Sequence, residues 1–190
     1  MPPVSIHTFL EAQANGGKLI LRHPRWSDFD DWMSLRRENK EWLSPWEPGF
    51  SEKKINRITY RTQLSRYKKM VQNGTAYPFH VFYGPDEVFI GGCNLTHVER
   101  GSSQSARIGY WIGQRFIRNG FARHSVGRVT SFAFETLGLH RVEAAVQSDN
   151  TASITVLDSQ GYQKEGVARG YLKINGAWHD HLIYSKLSSD

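Results

Sequence analysis

The spacing of apolar and polar residues along the chain predicts alternating helices and strands. Apolar residues that recur every three or four positions predict three long helices and a shorter fourth one, at residues 27–41, 51–73, 121–137 and 151–160. Short apolar runs bounded by glycine, proline or asparagine predict strands. These strands cover residues 18–22, 77–83, 88–99, 105–113, 141–147, 162–174 and 178–187.

The order of these elements predicts an α/β fold with one mixed sheet and helices on both of its faces. The strand–helix–strand segment at 108–147 should form a right-handed crossover between parallel strands. The turn at Asn175-Gly176 instead predicts an antiparallel hairpin. Residues 1–17 are weakly patterned and are expected to form a frayed or partly helical extension, which leaves 18–190 as a single domain.

Local signals refine the first helix and the segment after it. Ser27 is expected to cap the N-terminus of the first helix, because a serine before a turn that holds three aspartates is typical of such a start. Pro45 and Pro48 argue against regular structure between residues 42 and 50.

One basic turn predicts a phosphate-binding site. Residues 114–123 follow the apolar run 108–113 and open an amphipathic helix. Backbone N–H groups at a helix N-terminus are unpaired, and the helix dipole favours negative charge there. Gly120 allows close approach of a ligand to the backbone, and nearby arginines add positive charge. The alternative is an ordinary strand-to-helix loop on a basic protein.

Composition narrows the classes of partner. The 190 residues are 39% hydrophobic, carry a formal net charge of +6 and have a pI near 9.5, which favours nucleic acid or a phosphorylated small molecule as a partner. Cys93 is the only cysteine, which excludes an internal disulfide and argues against a cysteine-based zinc site. No apolar run approaches the length of a membrane span, and no secretory signal is present, so a cytoplasmic protein is expected.

The second half of the chain contains a series of short motifs. They are Gly109-Tyr-Trp-Ile-Gly113, Arg118-Asn-Gly-Phe-Ala122, Leu137-Gly-Leu-His-Arg-Val-Glu-Ala144, Asn150-Thr-Ala-Ser153 and Tyr171-Leu-Lys-Ile-Asn-Gly176. In their order and spacing these motifs resemble the GNAT N-acetyltransferases, and within them the RimJ/RimL group, which acetylates the N-terminal amine of ribosomal proteins. The resemblance covers about residues 18–187. It implies a GNAT fold with about seven strands and about four helices, acetyl-CoA as co-substrate, and no metal.

The resemblance also implies a donor site. The N–H of Ile112 would donate to the thioester oxygen, whereas the side chains of Trp111 and Ile112 fit sheet core equally well. Ile117 stands where the family usually has glutamine or arginine, so a side-chain contact to the pyrophosphate is lost, although Arg118 lies beside it. The predicted donor-binding residues are Tyr110, Trp111, Ile112, Ile117, Arg118, Asn119, Gly120, Phe121, Ala122, Arg123, Asn150 and Ser153.

Ser153 is the predicted general acid, because the RimL branch has a serine at the matching position. A plain helix start, with Asn150 as the N-cap, explains the same spacing and does not exclude that role. Many relatives use a tyrosine four residues later, where this chain has Leu157.

The sequence identifies the general base less clearly than the general acid. Gly170 stands where RimL-like sequences carry a carboxylate. Glu143 is the predicted base, and the alternative for it is an ion pair with an arginine. Asp180 and His181 are further candidates, His181 having a structural hydrogen bond as its alternative, and a water chain to a remote carboxylate would also serve.

The acceptor groove is predicted between the aromatic loop 42–50 and the closing hairpin, and the alternative for the loop is a hydrophobic plug. The predicted acceptor is the N-terminal α-amine of a protein, possibly ribosomal, acetylated directly in a ternary complex. A small amine (polyamine, amino acid, aminoglycoside or aminoacyl-nucleotide) and a catalytically silent ribosome- or RNA-binding module are the alternatives, and a homodimer is left open. The predicted acceptor-binding residues are Trp42, Trp46, Glu47, Tyr171 and Asp180.

Overall fold

The computed structural model describes residues 5, 7–48, 53 and 55–190, which form a mixed sheet flanked by helices. The strands are β1 Phe9–Ala14, β2 Gly17–Arg22, β3 Tyr77–Tyr83, β4 Val88–Glu99, β5 Ser105–Ile112, β6 Arg141–Val146, β7 Gln163–Ile174 and β8 Ala177–Leu187. They form one sheet in the order β1-β2-β3-β4-β5-β6-β8-β7. All neighbouring strands are antiparallel except β5 and β6, which are parallel as predicted.

The eighth strand corrects the expectation for the N-terminal region. A frayed or partly helical segment is wrong for Phe9–Ala14, which pairs along its whole length with β2. Phe9 is 60% exposed, whereas Leu10 and Ala14 are buried, so the apolar pattern of this edge strand is weak. The overlooked signal is the two-residue turn Asn15-Gly16, in which both residues have positive φ, as in common hairpin turns.

The helices are α1 Phe29–Glu38, α2 Lys40–Leu43, α3 Arg57–Gln72, α4 Phe121–Ser131 and α5 Thr151–Ser159. The helix predicted at 121–137 is regular only to Ser131 and continues as a π-helical turn over Phe132–Thr136. Residues 42 and 43 lie in the short α2, because the first proline that breaks the chain is Pro45. Residues 49–52 and 54, part of the predicted loop and second helix, lie outside the described residues.

Ser27 does not cap the first helix. The carboxylate of buried Asp28 accepts the amide N–H of Arg25 at 2.8 Å, ahead of a 3₁₀ turn that leads into α1. The Arg22 guanidinium donates to the same carboxylate at 2.7 and 2.9 Å, and His80 lies 3.2 Å away. Burial opposes the charged form, but the hydrogen bonds from His80 and Arg22 outweigh it and lower the pKa of Asp28.

The core fills both faces of the sheet. The first six residues of β3 are all buried, which requires cover on both sides. The π-helical turn and α4 pack on one face, where Val126, Val129 and Phe132 are buried, and Leu35 of α1 joins Phe82 and Phe89 in a second cluster. Cys93 lies in the main core, where burial raises the pKa of its thiol.

The parallel strands β5 and β6 separate after three residue pairs. Ser105–Arg107 pair with Arg141–Glu143, and beyond them β5 runs on to Ile112 and β6 to Val146 without pairing to each other. The two strands therefore diverge and leave a gap in the sheet at their C-terminal ends.

Candidate active site

A cavity of about 860 Å³ occupies the gap between β5 and β6. Its walls come from the acceptor loop, defined here as residues 42–48, from both separated strands, from the start of α5 and from the closing hairpin β7–β8. Predicted site residues in its lining are Trp42, Trp46, Glu47, Tyr110, Trp111, Ile112, Ile117, Ala122, Asn150, Ser153 and Tyr171. The structure therefore brings seven of the twelve predicted donor-binding residues and four of the five predicted acceptor-binding residues to one cavity.

The amide of Ile112 points into the gap. Neighbouring amides of a strand point to opposite sides, and the N–H of Gly113 donates to the carbonyl of Ile90 on the β4 side at 2.9 Å. The N–H and carbonyl of Ile112 must therefore face away from β4. The indole N–H of Trp42 donates to that carbonyl at 3.3 Å, which ties the acceptor loop to β5.

The turn before α4 presents unpaired amides. Gly120 (φ +74°) and Arg118 (φ +63°) both adopt the left-handed conformation. The side chain of Asn119 donates to the carbonyls of Phe116 and Ile117 at 3.2 and 3.1 Å, and it accepts a hydrogen bond from Asn15 at 3.0 Å. These bonds fix the turn.

The first backbone bond of α4 joins the N–H of His124 to the carbonyl of Gly120 at 3.0 Å. Within the described part of the chain, the amides of the three residues before it, Phe121, Ala122 and Arg123, have no acceptor. Arg118 and Arg123 are exposed and have no ion-pair partner there. Free amides, the helix dipole and two cations together suit a phosphate group.

The turn residues do not all face the cavity. The Phe121 ring is buried and lies 4.5 Å from the Tyr83 ring, between centroids, so only the backbone of Phe121 is available to a ligand. Arg118, Asn119, Gly120 and Arg123 lie outside the cavity lining and continue the site at its rim. Arg115, another turn cation, pairs with Glu38 at 3.2 Å.

The start of α5 places Ser153 in the cavity. The side chain of Asn150 accepts the N–H of Ser153 at 3.1 Å, which is the N-cap bond that the spacing indicated. The Tyr110 hydroxyl donates to the carbonyl of Ser153 at 3.1 Å, and burial raises the pKa of Tyr110. Ser153 thus sits in the first helical turn, where the dipole stabilises negative charge.

Glu143 has the partners of a structural carboxylate. It accepts from Arg141 at 2.8 Å and lies 3.7 Å from Arg107, and it does not belong to the cavity lining. Its role as the base stays a prediction, which is weakened because its oxygens face two guanidiniums and it lies outside the cavity lining.

Side chains of the acceptor loop also pair within the protein. Glu47 binds Arg36 through two hydrogen bonds of 2.7 and 2.5 Å, so its charge is neutralised at the cavity wall. A carboxylate that is already paired attracts a cationic amine less strongly, which weakens the predicted part of Glu47 in acceptor binding.

The closing hairpin contributes two rings rather than a carboxylate. Tyr171 and His181 line the cavity, with their ring centroids 5.6 Å apart. Asp180 lies outside the lining and accepts the amide of Gly170 at 2.7 Å. Gly170 has φ +53° at an irregularity in the β7–β8 pairing, where glycine is the favoured residue.

His181 has a defined proton arrangement. Its Nδ1 lies 3.0 Å from the carbonyl oxygen of His179, and since a carbonyl only accepts, Nδ1 carries the proton. The neutral ring therefore has its lone pair on Nε2. The side chain is 3% exposed and borders the cavity, so it is held in a fixed orientation.

Two buried side-chain amides join segments of the site that are distant in sequence, and sequence analysis missed both. Asn39 accepts the N–H of Gln114 at 2.6 Å and donates to the carbonyl of Leu35 at 2.8 Å. Gln147 lines the cavity and donates to the carbonyl of Pro45 at 2.9 Å. The bonds to Gln114 and Pro45 join residues that are 75 and 102 positions apart, so no local sequence pattern predicts them.

Two further kinds of feature, a cluster of metal-binding side chains and a membrane-spanning helix, do not occur among the described residues. No group of three or more histidine, cysteine, aspartate or glutamate side chains there is placed to hold a metal ion. None of the described helices is both long enough and apolar enough to cross a membrane.

Comparisons with known proteins agree with this geometry. Residues 18–163 match the family model described as an acetyltransferase (GNAT) domain. The probable N-acetyltransferase YjcK of Bacillus subtilis (strain 168) is 31% identical over 175 residues, which are 92% of this chain and 97% of that protein. The ribosomal protein uS5-alanine N-acetyltransferase of Escherichia coli (strain K12) is 30% identical over 165 residues, which are 86% of this chain and 85% of that protein.

Solved structures show the same fold. The structure of Mycobacterium smegmatis RimJ in complex with CoA-disulfide has a TM-score of 0.90 and 29% identity, and it covers 95% of this chain and 87% of the other. The ribosomal-protein-S5-alanine acetyltransferase of Vibrio fischeri has a TM-score of 0.87 and 27% identity, over 96% and 98% of the two chains. The chain therefore belongs to the GNAT family of acyltransferases, which use acetyl-CoA to acetylate amines, and is an N-acetyltransferase.

Proposed function

We propose that the protein transfers the acetyl group of acetyl-CoA directly to the N-terminal α-amine of a protein, with ribosomal proteins as the substrate class. The observation that carries the proposal is the gap between β5 and β6. It brings the Ile112 amide, Ser153 and His181 to one cavity beside the acceptor loop. The uS5-alanine N-acetyltransferase relatives support the choice of acceptor.

The turn before α4 would hold the donor by its pyrophosphate. Three free amides meet the phosphate oxygens, and Arg118 and Arg123 add charge from the rim. Because Ile117 offers no polar side chain, binding depends on the backbone and on these two cations. When bound, acetyl-CoA supplies an acetyl thioester, whose oxygen the N–H of Ile112 would stabilise as negative charge develops.

Ser153 would donate the proton that the departing sulfur needs. Its hydroxyl lies in the first turn of α5, where the helix dipole favours a developing thiolate. The serine oxygen would recover a proton from solvent after product release.

His181 would accept the proton lost by the attacking amine. Nδ1–H is committed to the carbonyl of His179, so Nε2 is the basic nitrogen, directly or through one water. Attack forms the new C–N bond, the C–S bond breaks, Nε2 takes the amine proton, and the sulfur takes the serine proton. This leaves an imidazolium at His181 and an alkoxide at Ser153, and the imidazolium would return its proton to solvent as the serine recovers one, so atoms and charges balance over the cycle.

The charge of the groove favours a peptide over a polyamine. The lining contains two carboxylates, of which Glu47 is paired with Arg36 and Asp149 is exposed. A polycation would need more unpaired negative charge. The aromatic side chains of Trp42, Trp46 and Tyr171 instead suit the first residues of a chain, whose backbone groups can bond along strand edges.

An acceptor panel tests the proposal. The purified protein is incubated with acetyl-CoA and short peptides that begin with alanine or serine, or with spermidine, an aminoglycoside or free amino acids, and the release of free CoA is measured. A peptide with a blocked N-terminus and a free lysine is the matched control. We expect turnover with the free N-terminus alone, located by mass spectrometry. Turnover confined to small amines would overturn the acceptor assignment, and no turnover with any amine would overturn the activity.

A further inference from the structure

The positive charge of this chain is concentrated in one segment. Seven lysines and arginines lie between residues 53 and 69, and no aspartate or glutamate occurs from residue 53 until Asp86. Because the whole chain has a formal net charge of +6, this segment carries all of its excess, and the remainder is close to neutral.

The structure places this charge on one half of α3. Tyr60 and Val71 are buried, while the exposed positions fall on one contiguous half of the helix. That half carries the five cations of the helix, which are Arg57, Arg61, Arg66, Lys68 and Lys69. From Arg57 to Lys69 they extend over about 18 Å, at about 1.5 Å per residue.

Most of this charge is not neutralised. Arg57 pairs with Asp30 at 3.1 Å. The described residues provide no ion-pair or hydrogen-bond partner for the side chains of Arg61, Arg66, Lys68 and Lys69. Four like charges within two and a half helical turns repel one another. This repulsion destabilises the folded protein, and no ion pair among the described residues compensates for it.

This face is separate from the active site. None of the residues of α3, all of which the structure describes, contributes to the cavity lining. The helix packs its apolar side on the sheet, in contact with β3. Its charge therefore has no part in holding acetyl-CoA or the attacking amine.

We propose that the exposed half of α3 is a docking surface for the phosphate backbone of RNA. Clustered cations attract phosphate and release its counterions, and Arg57 is the one cation of this face with a carboxylate partner among the described residues. A protein partner fits less well, because charged residues are depleted at the centre of protein–protein interfaces. The one large apolar side chain on this half is Ile58, which is 81% exposed.

RNA binding by α3 would be a function additional to acetyl transfer and compatible with it. An enzyme that modifies a ribosomal protein works beside RNA, and a basic face outside the cavity would raise its local concentration there. RNA binding by this face does not depend on the identity of the acceptor.

Fluorescence anisotropy with a labelled 20-base-pair RNA duplex tests the proposal over a series of salt concentrations. The variant is Arg61→Gln with Lys68→Gln, and the control is Lys164→Gln with Lys173→Gln, which removes the same charge from exposed positions of β7. We expect the α3 variant to bind about 10-fold more weakly, with a salt dependence of log Kd reduced by about 2, one for each lost phosphate contact. The control should bind within about 2-fold of the parent.

Three results would overturn the assignment. These are unchanged affinity and salt slope in the α3 variant, an equal loss in the β7 control, and equal affinity for an acidic helical peptide of the same charge as the duplex, which would assign the face to proteins. Acetylation of a short peptide by the α3 variant should equal that of the parent. A failed peptide assay in both would refute the proposed function and leave the RNA result standing.

Discussion

The donor side of the cavity is built largely from backbone, whereas its acceptor side is built from side chains. On the donor side, the amide of Ile112 and the first amides of α4 face the site, fixed by strand pairing and by the turn at Gly120. On the acceptor side, Trp42 and Glu47 are held by bonds to distant residues.

This difference follows from what each side recognises. A pyrophosphate and a thioester are the same in every reaction, so main-chain donors, which substitution leaves in place, suffice for them. An acceptor differs between enzymes, and side chains are the part of a site that can change without altering the fold. The donor side should therefore tolerate changes that preserve its backbone, and the acceptor side should respond to single side chains.

Substitution of Ser153 should have the largest effect and is the strongest test of the comparison, because Ser153 contributes a side chain to a donor side that is otherwise built from backbone. Ser153→Ala should lower kcat by about 10²–10⁴-fold, the usual contribution of a proton-transfer group. The affinity for CoA, measured by calorimetry, should stay nearly constant, since the amide of residue 153 still bonds to Asn150. Ser159→Ala, at the far end of the same helix, is the control. A fully active Ser153→Ala enzyme would remove the serine from the mechanism.

Substitution of His181 tests the proposed general base, which lies on the acceptor side of the cavity. His181→Asn keeps a donor near the carbonyl of His179 but removes the basic nitrogen, so kcat should fall about 10²-fold with little change in the KM for acetyl-CoA. His179→Asn, on the same strand, is the matched control. Added imidazole should restore part of the activity of His181→Ala. If imidazole does not restore activity and His181→Asn has a normal kcat, His181 is not the base, and Glu143 would again be the preferred candidate.

Gly120 tests whether the donor side depends on backbone. Gly120→Glu should weaken CoA binding by about 10-fold or more. A side chain at φ +74° costs about 1–2 kcal/mol, and the new carboxylate repels phosphate. Gly120→Gln carries the strain without the charge and separates the two effects. If both variants bind CoA like the parent, the turn does not hold the pyrophosphate.

Gln147 should give the smallest effect, confined to the acceptor. Gln147→Leu removes the bond to Pro45, a loss of about 1 kcal/mol, so the KM for the acceptor should rise about 5-fold. The KM for acetyl-CoA should not change, and Gln163→Leu on exposed β7 serves as the control. An equal rise in both Michaelis constants would mean that the two sides are not separable.

The same contrast explains how much the sequence could predict. The donor side lies in contiguous motifs, so its strand, turn and capped helix could be located from residues 108–123 and 150–153, and the cap bond from Asn150 is present. The acceptor side depends on pairs such as Arg36 with Glu47 and Gln147 with Pro45, which form only after the chain folds. The sequence allowed an ion pair for Glu143 but did not identify Arg141 and Arg107 as its partners, and it gave no sign of the bond between Asp180 and the Gly170 amide.

The errors in the predicted fold can each be traced to particular residues. The strand β1 was missed because its alternation is weak at an edge, although Asn15-Gly16 carries the same turn signal as Asn175-Gly176. Ser27 was predicted as the cap with Asp28 in the first turn, whereas the Asp28 carboxylate is buried by partners that the local sequence does not reveal, Arg22 of β2 and His80 of β3.

The hydrogen bond from the Trp42 indole to the carbonyl of Ile112 joins the two sides. An acceptor that displaced this tryptophan would also perturb the peptide next to the Ile112 amide, which in the proposed mechanism faces the thioester. Any factor by which the acceptor changed coenzyme affinity would then be matched by the factor by which the coenzyme changed acceptor affinity. The Trp42 indole therefore gives the proposed ternary complex a physical link through which each substrate would alter the binding of the other.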